Sequence, residues 1–265
     1  DLVQRYETKA RRLGLDQAQA LIEGELHPAL HLMGQRILRR VLQSHTGYAA
    51  MMHNLDCNVG RLLSALDECG QADNTLVVFL SDNGGLSVGV EGSVTCTLPY
   101  REGKGWSEDG GLRIPMLVRW PDHIPGGRVV DVPMWQCDLY PTFLEAAGLP
   151  LEPERHRDGV GMLETLVDGS APDRDTLCWH YPHYSNQGGG PTGAIRRGDW
   201  KLIEHYETGA CQLFDLANDP SECFDLAADQ SDVVAELAQR LAAWRREVGA
   251  AMPVPNPDYD DIVAG

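Results

Sequence analysis

Residues 75–85 read TLVVFLSDNGG. A short, wholly apolar run rich in β-branched residues ends abruptly in an acid, an amide and two glycines. An apolar run without alternation suits a strand covered on both faces, as in a parallel sheet. Ligands of such sheets gather at the carboxyl ends of the strands, which is where Asp82 and Asn83 fall. Gly84 and Gly85 let the backbone turn sharply or approach a ligand closely. An aspartate and an asparagine side by side offer oxygen donors, which favours a hard cation, Ca²⁺ or Mg²⁺, over zinc. Asp, Asn and Gly are also the commonest turn formers, so the tetrad alone reads first as a turn.

Working outward, Tyr48, Met52, Leu55, Val59, Leu62 and Leu66 precede the strand at spacings of four and three. That predicts an amphipathic helix, with Gly70 closing it. Residues 1–47 lean towards helix, with turn signals at Gly14, His27-Pro28 and Gly47. Downstream, a Gly-rich loop runs from Gly84 to about Gly111, and IPMLVRW (114–120) reads as a second buried strand. Asp138 is placed to cap a helix running to Ala147, with Pro141 in its first turn and Gly148 at its end. Helix, strand, loop, strand, helix predicts an α/β domain with a mostly parallel sheet flanked by helices, over residues 1–150. Residues 151–265 predict a small C-terminal α+β subdomain. In it DWKLIEHY (199–206) and CQLFDL (211–216) form an antiparallel hairpin across ETGA. Val234, Leu237, Leu241, Trp244 and Val248 form a last amphipathic helix capped by Ser231 or Asp232.

The loop between the two apolar runs carries Lys104, flanked by Gly103 and Gly105 in PYREGKGWSEDGG (99–111). Little bulk shields its ammonium, which suits it to grip an anionic oxygen; a solvated surface lysine is the plain alternative. Arg101 and Arg113 are best read as partners of Glu102, Glu108 or Asp109. In WHYPHYSNQGGG (179–190), aromatics and glycines suit a substrate pocket, with His183 as a substrate contact, or equally a packed structural loop.

The chain has 265 residues and a net charge of −17, from 39 acidic against 22 basic side chains. A surface so acidic repels phosphate backbones and excludes a nucleic-acid partner. No apolar run approaches the roughly 18 residues a membrane span requires. The seven cysteines are scattered, without a CxxC pair, so neither a zinc cage nor a disulfide framework is indicated.

Several stretches, in order, resemble the sulfatase family, the formylglycine-dependent sulfuric ester hydrolases of the alkaline phosphatase superfamily. They are YAAMMHNLDCNVGRLLSALDECGQADNTLVVFLSDNGG (48–85), REGKGWSEDGGLRIPMLVRWPDHIPGG (101–127) and QCDLYPTFLEAAGLP (136–150). WHYPHYSNQGGGPTGAIRRGDWKLIE (179–204) and LFDLANDPSECFDLA (213–227) continue the match. The resemblance implies that Asp82 and Asn83 ligate calcium and that Lys104 contacts the sulfate of an aryl or carbohydrate sulfate ester. It also implies a formylglycine nucleophile, and it favours a periplasmic or secreted location.

The family's nucleophile motif, C/S-x-P-x-R, is not in this sequence; CTLPYR (96–101) has the wrong spacing and lies in the later GKG loop. The adjacent aspartates of the family's first strand and its upstream lysine and histidines are missing too. The chain is therefore expected to be a C-terminal portion of a sulfatase, with formylglycine in a missing N-terminal segment. It is expected to be inactive alone and to hold calcium weakly, since calcium takes about six to eight oxygens. A non-catalytic remnant or sulfated-glycan binding module is the alternative of a different class. A phosphodiester or phosphonate hydrolase of the same superfamily is the alternative within enzymes. Zinc-dependent relatives place a histidine after the strand-end aspartate, and Asn83 argues against them.

Overall fold

The computed structural model describes residues 1–257. In chain order the elements are α1 (Leu2–Leu13), β1 (Leu21–Leu26), β2 (Arg36–Arg40), α2 (Thr46–Glu68), β3 (Val77–Leu80) and β4 (Val88–Gly89). They continue with α3 (Asp109–Leu112), β5 (Met116–Arg119), α4 (Leu139–Ala146) and α5 (Leu163–Asp168). The last are β6 (Thr176–Tyr181), β7 (Thr192–Arg197), β8 (Trp200–His205), β9 (Cys211–Asp215) and α6 (Ser231–Glu247). They fall into two compact units built from interleaved stretches. The first takes Asp1–Ala18, Ser44–Asn83 and Ile114–Asp175; the second takes Gln19–Gln43, Gly84–Arg113 and the described residues from Thr176 onward.

In the first unit the two apolar runs do form strands, and they pair with each other. The pairing is antiparallel, Val77 opposite Arg119 and Leu80 opposite Met116. This corrects the expected mostly parallel sheet: every strand pair among the described residues is antiparallel. An apolar run without alternation reports cover on both faces and says nothing of strand direction. All four residues of β3 are only half-buried here.

The helix read at 48–66 is α2. His45 caps it, its ring Nδ1 accepting the Tyr48 amide at 3.0 Å, and Gly70 follows its end at φ +65°. Tyr6 of α1 reaches His53 of α2 at 3.1 Å. Yet Ala50 is the one buried residue of α2; Met51 and Leu62 are 69% and 68% exposed, as is Leu117 of β5 at 67%.

Pro141 lies in the first turn of α4, and Gly148 follows the helix at φ +66°. Asp138 is not its side-chain cap. The fully buried carboxylate accepts from the Trp135 and Val160 amides, both at 3.0 Å, and from the Arg174 guanidinium at 2.5 and 2.8 Å. Four donors compensate a buried charge better than one helix amide could.

The second unit holds two antiparallel sheets. One is β1-β2-β4, in a region the sequence suggested was helical. The strands RILRR and LIEGEL have too few apolar residues to announce themselves. The other is the meander β6-β7-β8-β9, whose β8–β9 hairpin is the one expected around ETGA. Facing residues Ile195, Leu202 and Leu213 pack against Leu237 and Leu241 of α6. Full burial stabilises such side chains by roughly 1.5–3 kcal/mol each. The opposite face carries Ala194, Ile203 and Phe214, all fully buried, so this sheet is covered on both sides. Gln230, not Ser231 or Asp232, occupies the N-cap position of α6.

Candidate functional site

Asp82 and Asn83 follow β3 directly and belong to the first unit. The bend is held by the Ser81 hydroxyl, which donates to the Asn83 carbonyl at 2.9 Å. Gln136 Nε2 donates to the Asp82 carbonyl at 3.0 Å. Asp82 is exposed and Asn83 half-buried. Both side chains offer the hard oxygens that calcium takes, but two donors are far short of its shell. Among the described residues no group of three or more His, Cys, Asp or Glu side chains is gathered to hold a metal ion. The described residues therefore do not make a calcium site by themselves.

Lys104 belongs to the second unit and sits in the loop that runs from Gly84 to α3. Its main-chain amide donates to the Gly85 carbonyl at 3.0 Å, and its side chain is exposed. Among the described residues its ammonium makes no ion pair shorter than 4.0 Å. The loop beneath it is tied at both ends. Gly84 donates to the Gly111 carbonyl at 2.8 Å, and Gly110 to that of Arg101 at 2.8 Å. Ser87 and Thr97 hydroxyls both donate to the Glu102 carbonyl, at 2.8 and 2.6 Å. At Gly110 a Cβ would stand 2.3 Å from the carbonyl oxygens of Arg101 and Glu102, so the close backbone crossing there requires glycine.

The structure brings this loop against the SNQGGG segment, also in the second unit. Trp106 Nε1 donates to the Gln187 carbonyl at 3.1 Å, and a Cβ at Gly189 would stand 2.1 Å from the Gly105 carbonyl oxygen. His183, just before that segment, is exposed and meets the Tyr181 ring edge-on at 5.6 Å. The neighbouring His180 is engaged structurally, its Nδ1 at 2.6 Å from the Tyr206 hydroxyl and its Nε2 at 2.9 Å from the Ala251 carbonyl.

Beneath the loop lies a charge cluster that sequence reading missed. Lys201, fully buried in β8, places Nζ 2.7 Å from Asp109 Oδ1 and 2.7 Å from Glu222 Oε1. The other Glu222 oxygen accepts the Asp109 amide at 2.7 Å, and the Glu222 carbonyl accepts from Arg101 at 3.0 Å. Burial pushes the Glu222 carboxyl up from its ordinary range, against the pull of Lys201. Glu108, also buried, is pushed up to about 7, by burial first and then by the charge of Glu102, with Arg101 opposing. Arg101 stands 3.9 Å from Glu108 and 3.8 Å from Glu102, the pairing the sequence suggested. Arg113 instead lies over the Tyr100 ring at 4.8 Å. Arg39 spans Glu102 and Glu25, at 2.8 and 2.7 Å. Among the described residues Glu102 and Glu222 are the non-glycine residues with left-handed backbone, at φ 59° and 52°. A sequence signal for Lys201 did exist. In DWKLIEHY both strand faces carry apolar residues, Trp200 and Leu202 on one and Ile203 on the other, so Lys201 points into a covered face and needs anions.

Comparison with known proteins adds the context. The family model "Sulfatase" matches residues 2–149, and "N-sulphoglucosamine sulphohydrolase, C-terminal" matches 103–247. A protein named "Sulfatase" from Formosa agariphila is 33% identical over 74% of this chain and 39% of its own length. The crystal structure of Ps i-CgsB in complex with k-i-k-neocarrahexaose aligns with a TM-score of 0.65 and 34% identity, over 76% of this chain and 43% of that one. The structure of BT4656 in complex with its substrate D-glucosamine-2-N,6-O-disulfate aligns with a TM-score of 0.63 and 27% identity, over 76% and 40%. The chain thus spans less than half the length of the relatives it matches.

Proposed function

The chain belongs to the sulfatase family, and from that premise we propose that it is the portion of a sulfuric ester hydrolase that grips the sulfuryl group of a sulfated carbohydrate or aryl ester. The observation that carries this reading is Lys104: an exposed ammonium, without an ion pair among the described residues, on a loop whose backbone is fixed by hydrogen bonds at both ends. A cation facing solvent from a fixed backbone meets a sulfate oxygen without first giving up another partner. The preference for a carbohydrate sulfate draws on the disulfated sugar bound by the BT4656 structure.

Each residue has a separate task. Lys104 holds an anionic non-bridging oxygen of the sulfate ester and offsets its charge while the S–O bond breaks and the bonding pair leaves with the alcohol or phenol oxygen. His183, exposed beside the segment packed on the Lys104 loop, offers ring nitrogens to the remainder of the substrate. Asp82 and Asn83 contribute two of the oxygens of a calcium or magnesium shell, the rest of which the described residues do not supply. The proposal places the formylglycine nucleophile on polypeptide beyond this sequence.

The test is turnover of 4-nitrophenyl sulfate against bis-4-nitrophenyl phosphate by the protein in the full length its gene encodes. Sulfate release, reduced about 10²–10³-fold in kcat/KM by Lys104→Ala, supports the proposal. Faster cleavage of the phosphodiester overturns it in favour of the sibling hydrolase. Binding of a sulfated oligosaccharide without any release overturns it in favour of a non-catalytic binding module.

A further inference from the structure

Over 101–112 the buried non-glycine side chains of the Lys104 loop are Ser107, Glu108 and Asp109, none of them apolar, while Trp106 and Leu112 are half-buried. Neutral hydrogen bonds tie the loop to the neighbouring segments, Ser107 to Thr192 of β7 at 2.7 Å and Trp106 to Gln187 at 3.1 Å, and its link to β8 is ionic. Lys201 comes from the middle of β8, on the face shared with Ile203 and Phe214, and its ammonium lies 2.7 Å from both Asp109 and Glu222. Glu222 then grips the loop twice more, through the Asp109 amide at 2.7 Å and through Arg101 at 3.0 Å.

Burying charges in this way is a poor route to stability. Desolvation offsets most of the attraction, and an apolar replacement of similar volume is often neutral or better. What such a cluster supplies is a single geometry: three charged atoms at 2.7 Å tolerate little displacement of the loop relative to the strand. Lys104 lies five positions before Asp109 on that same loop.

We propose that Lys201 is a positioning residue: clamped between Asp109 and Glu222, it fixes the loop that carries Lys104, so that the Lys104 ammonium meets a sulfate oxygen at a set place. The inference rests on the reading of Lys104 as the sulfate contact. Lys201 is buried and acts through the backbone of residues 104–109.

The test compares the wild-type chain with Lys201→Met, which keeps length and removes the charge. Two readouts are needed. One is hydrogen exchange at the amides of Lys104, Asp109 and Gly110. The other is the affinity for inorganic sulfate, followed by the resonance of the reductively methylated Lys104 ammonium. In the variant these amides should exchange at least about tenfold faster while β9 and α6 keep their protection, and sulfate affinity should fall about fivefold or more. Unchanged exchange over 101–112 overturns the proposal. So does faster exchange with sulfate affinity intact, since that is a structural role only. If wild-type Lys104 does not respond to sulfate, the sulfate-gripping reading fails, and the exchange readout alone decides whether Lys201 holds the loop. Should Lys201→Met lose protection everywhere, Asp109→Asn replaces it. That variant keeps the Lys201–Glu222 pair and weakens only the link to the loop. It should loosen 101–112 in the same way, and intact protection there overturns the proposal.

Discussion

Replacing Glu108 by glutamine should stabilise the chain above neutral pH and leave it nearly unchanged near pH 4. Glu108 is 4% exposed and its carboxyl feels the charge of Glu102, while its cationic neighbour Arg101 stands 3.9 Å away. These surroundings push its pKa from 4.5 up to about 7. A folded-state value above the unfolded one means that the native chain holds the proton more tightly. Stability from this group is therefore fully present below about pH 4.5 and is lost as pH rises through 7. At about 1.4 kcal/mol per pH unit of displacement, the loss comes to roughly 3 kcal/mol above pH 8. Glutamine is neutral throughout and keeps the shape of the protonated acid. The difference in melting temperature between Glu108→Gln and wild type should therefore grow from near zero at pH 4 to about 6–12 °C at pH 8, at ~2–4 °C per kcal/mol for a chain of this size. Thermal melts across that range, followed by circular dichroism, measure it. A difference that stays flat with pH, or a variant destabilised equally everywhere, would refute the reasoning.

Two further outcomes test the packing of the second unit. Leu241→Ala removes a fully buried side chain between α6 and the meander and should destabilise by about 2–5 kcal/mol in urea titration. A loss under about 1 kcal/mol would mean that α6 does not seal that face. Gly189→Ala places a methyl where the Gly105 carbonyl oxygen stands 2.1 Å away. It should destabilise by about 1–3 kcal/mol and loosen the Trp106 indole from Gln187, visible as a shift of tryptophan emission. An unchanged emission spectrum would show that the two loops are not in contact.

How much of this could be read from residues alone varies with the physics. The α2 helix and the β8–β9 hairpin were legible, because period and turn chemistry are local. The strand at 77–80 was legible as a strand, but its direction was not, since apolarity reports cover and not the chain path. β1 and β2 were hidden, because RILRR owes its pairing to neighbours across the sheet and not to its own composition. Asp138 looked like a helix cap. Only the fold shows that Arg174, 36 positions later, claims its carboxylate. Of the candidate residues, Lys104 was legible through its glycine flanks and its place in a family pattern. The cluster beneath it was not, because Asp109, Lys201 and Glu222 converge from three distant segments.

Glu102 and Glu222 bear on anyone who sets out to harden this protein. Both hold a backbone shape that glycine adopts freely, and a search for relief at such positions would begin with them. Each, however, carries the carboxylate that answers a specific cation, Arg39 in one case and Lys201 in the other. Easing the main chain at either position would leave that cation with one carboxylate instead of two, Glu25 for Arg39 and Asp109 for Lys201. The awkward torsions persist because a partner elsewhere depends on them, and the usual recipe for thermostability would act against itself here.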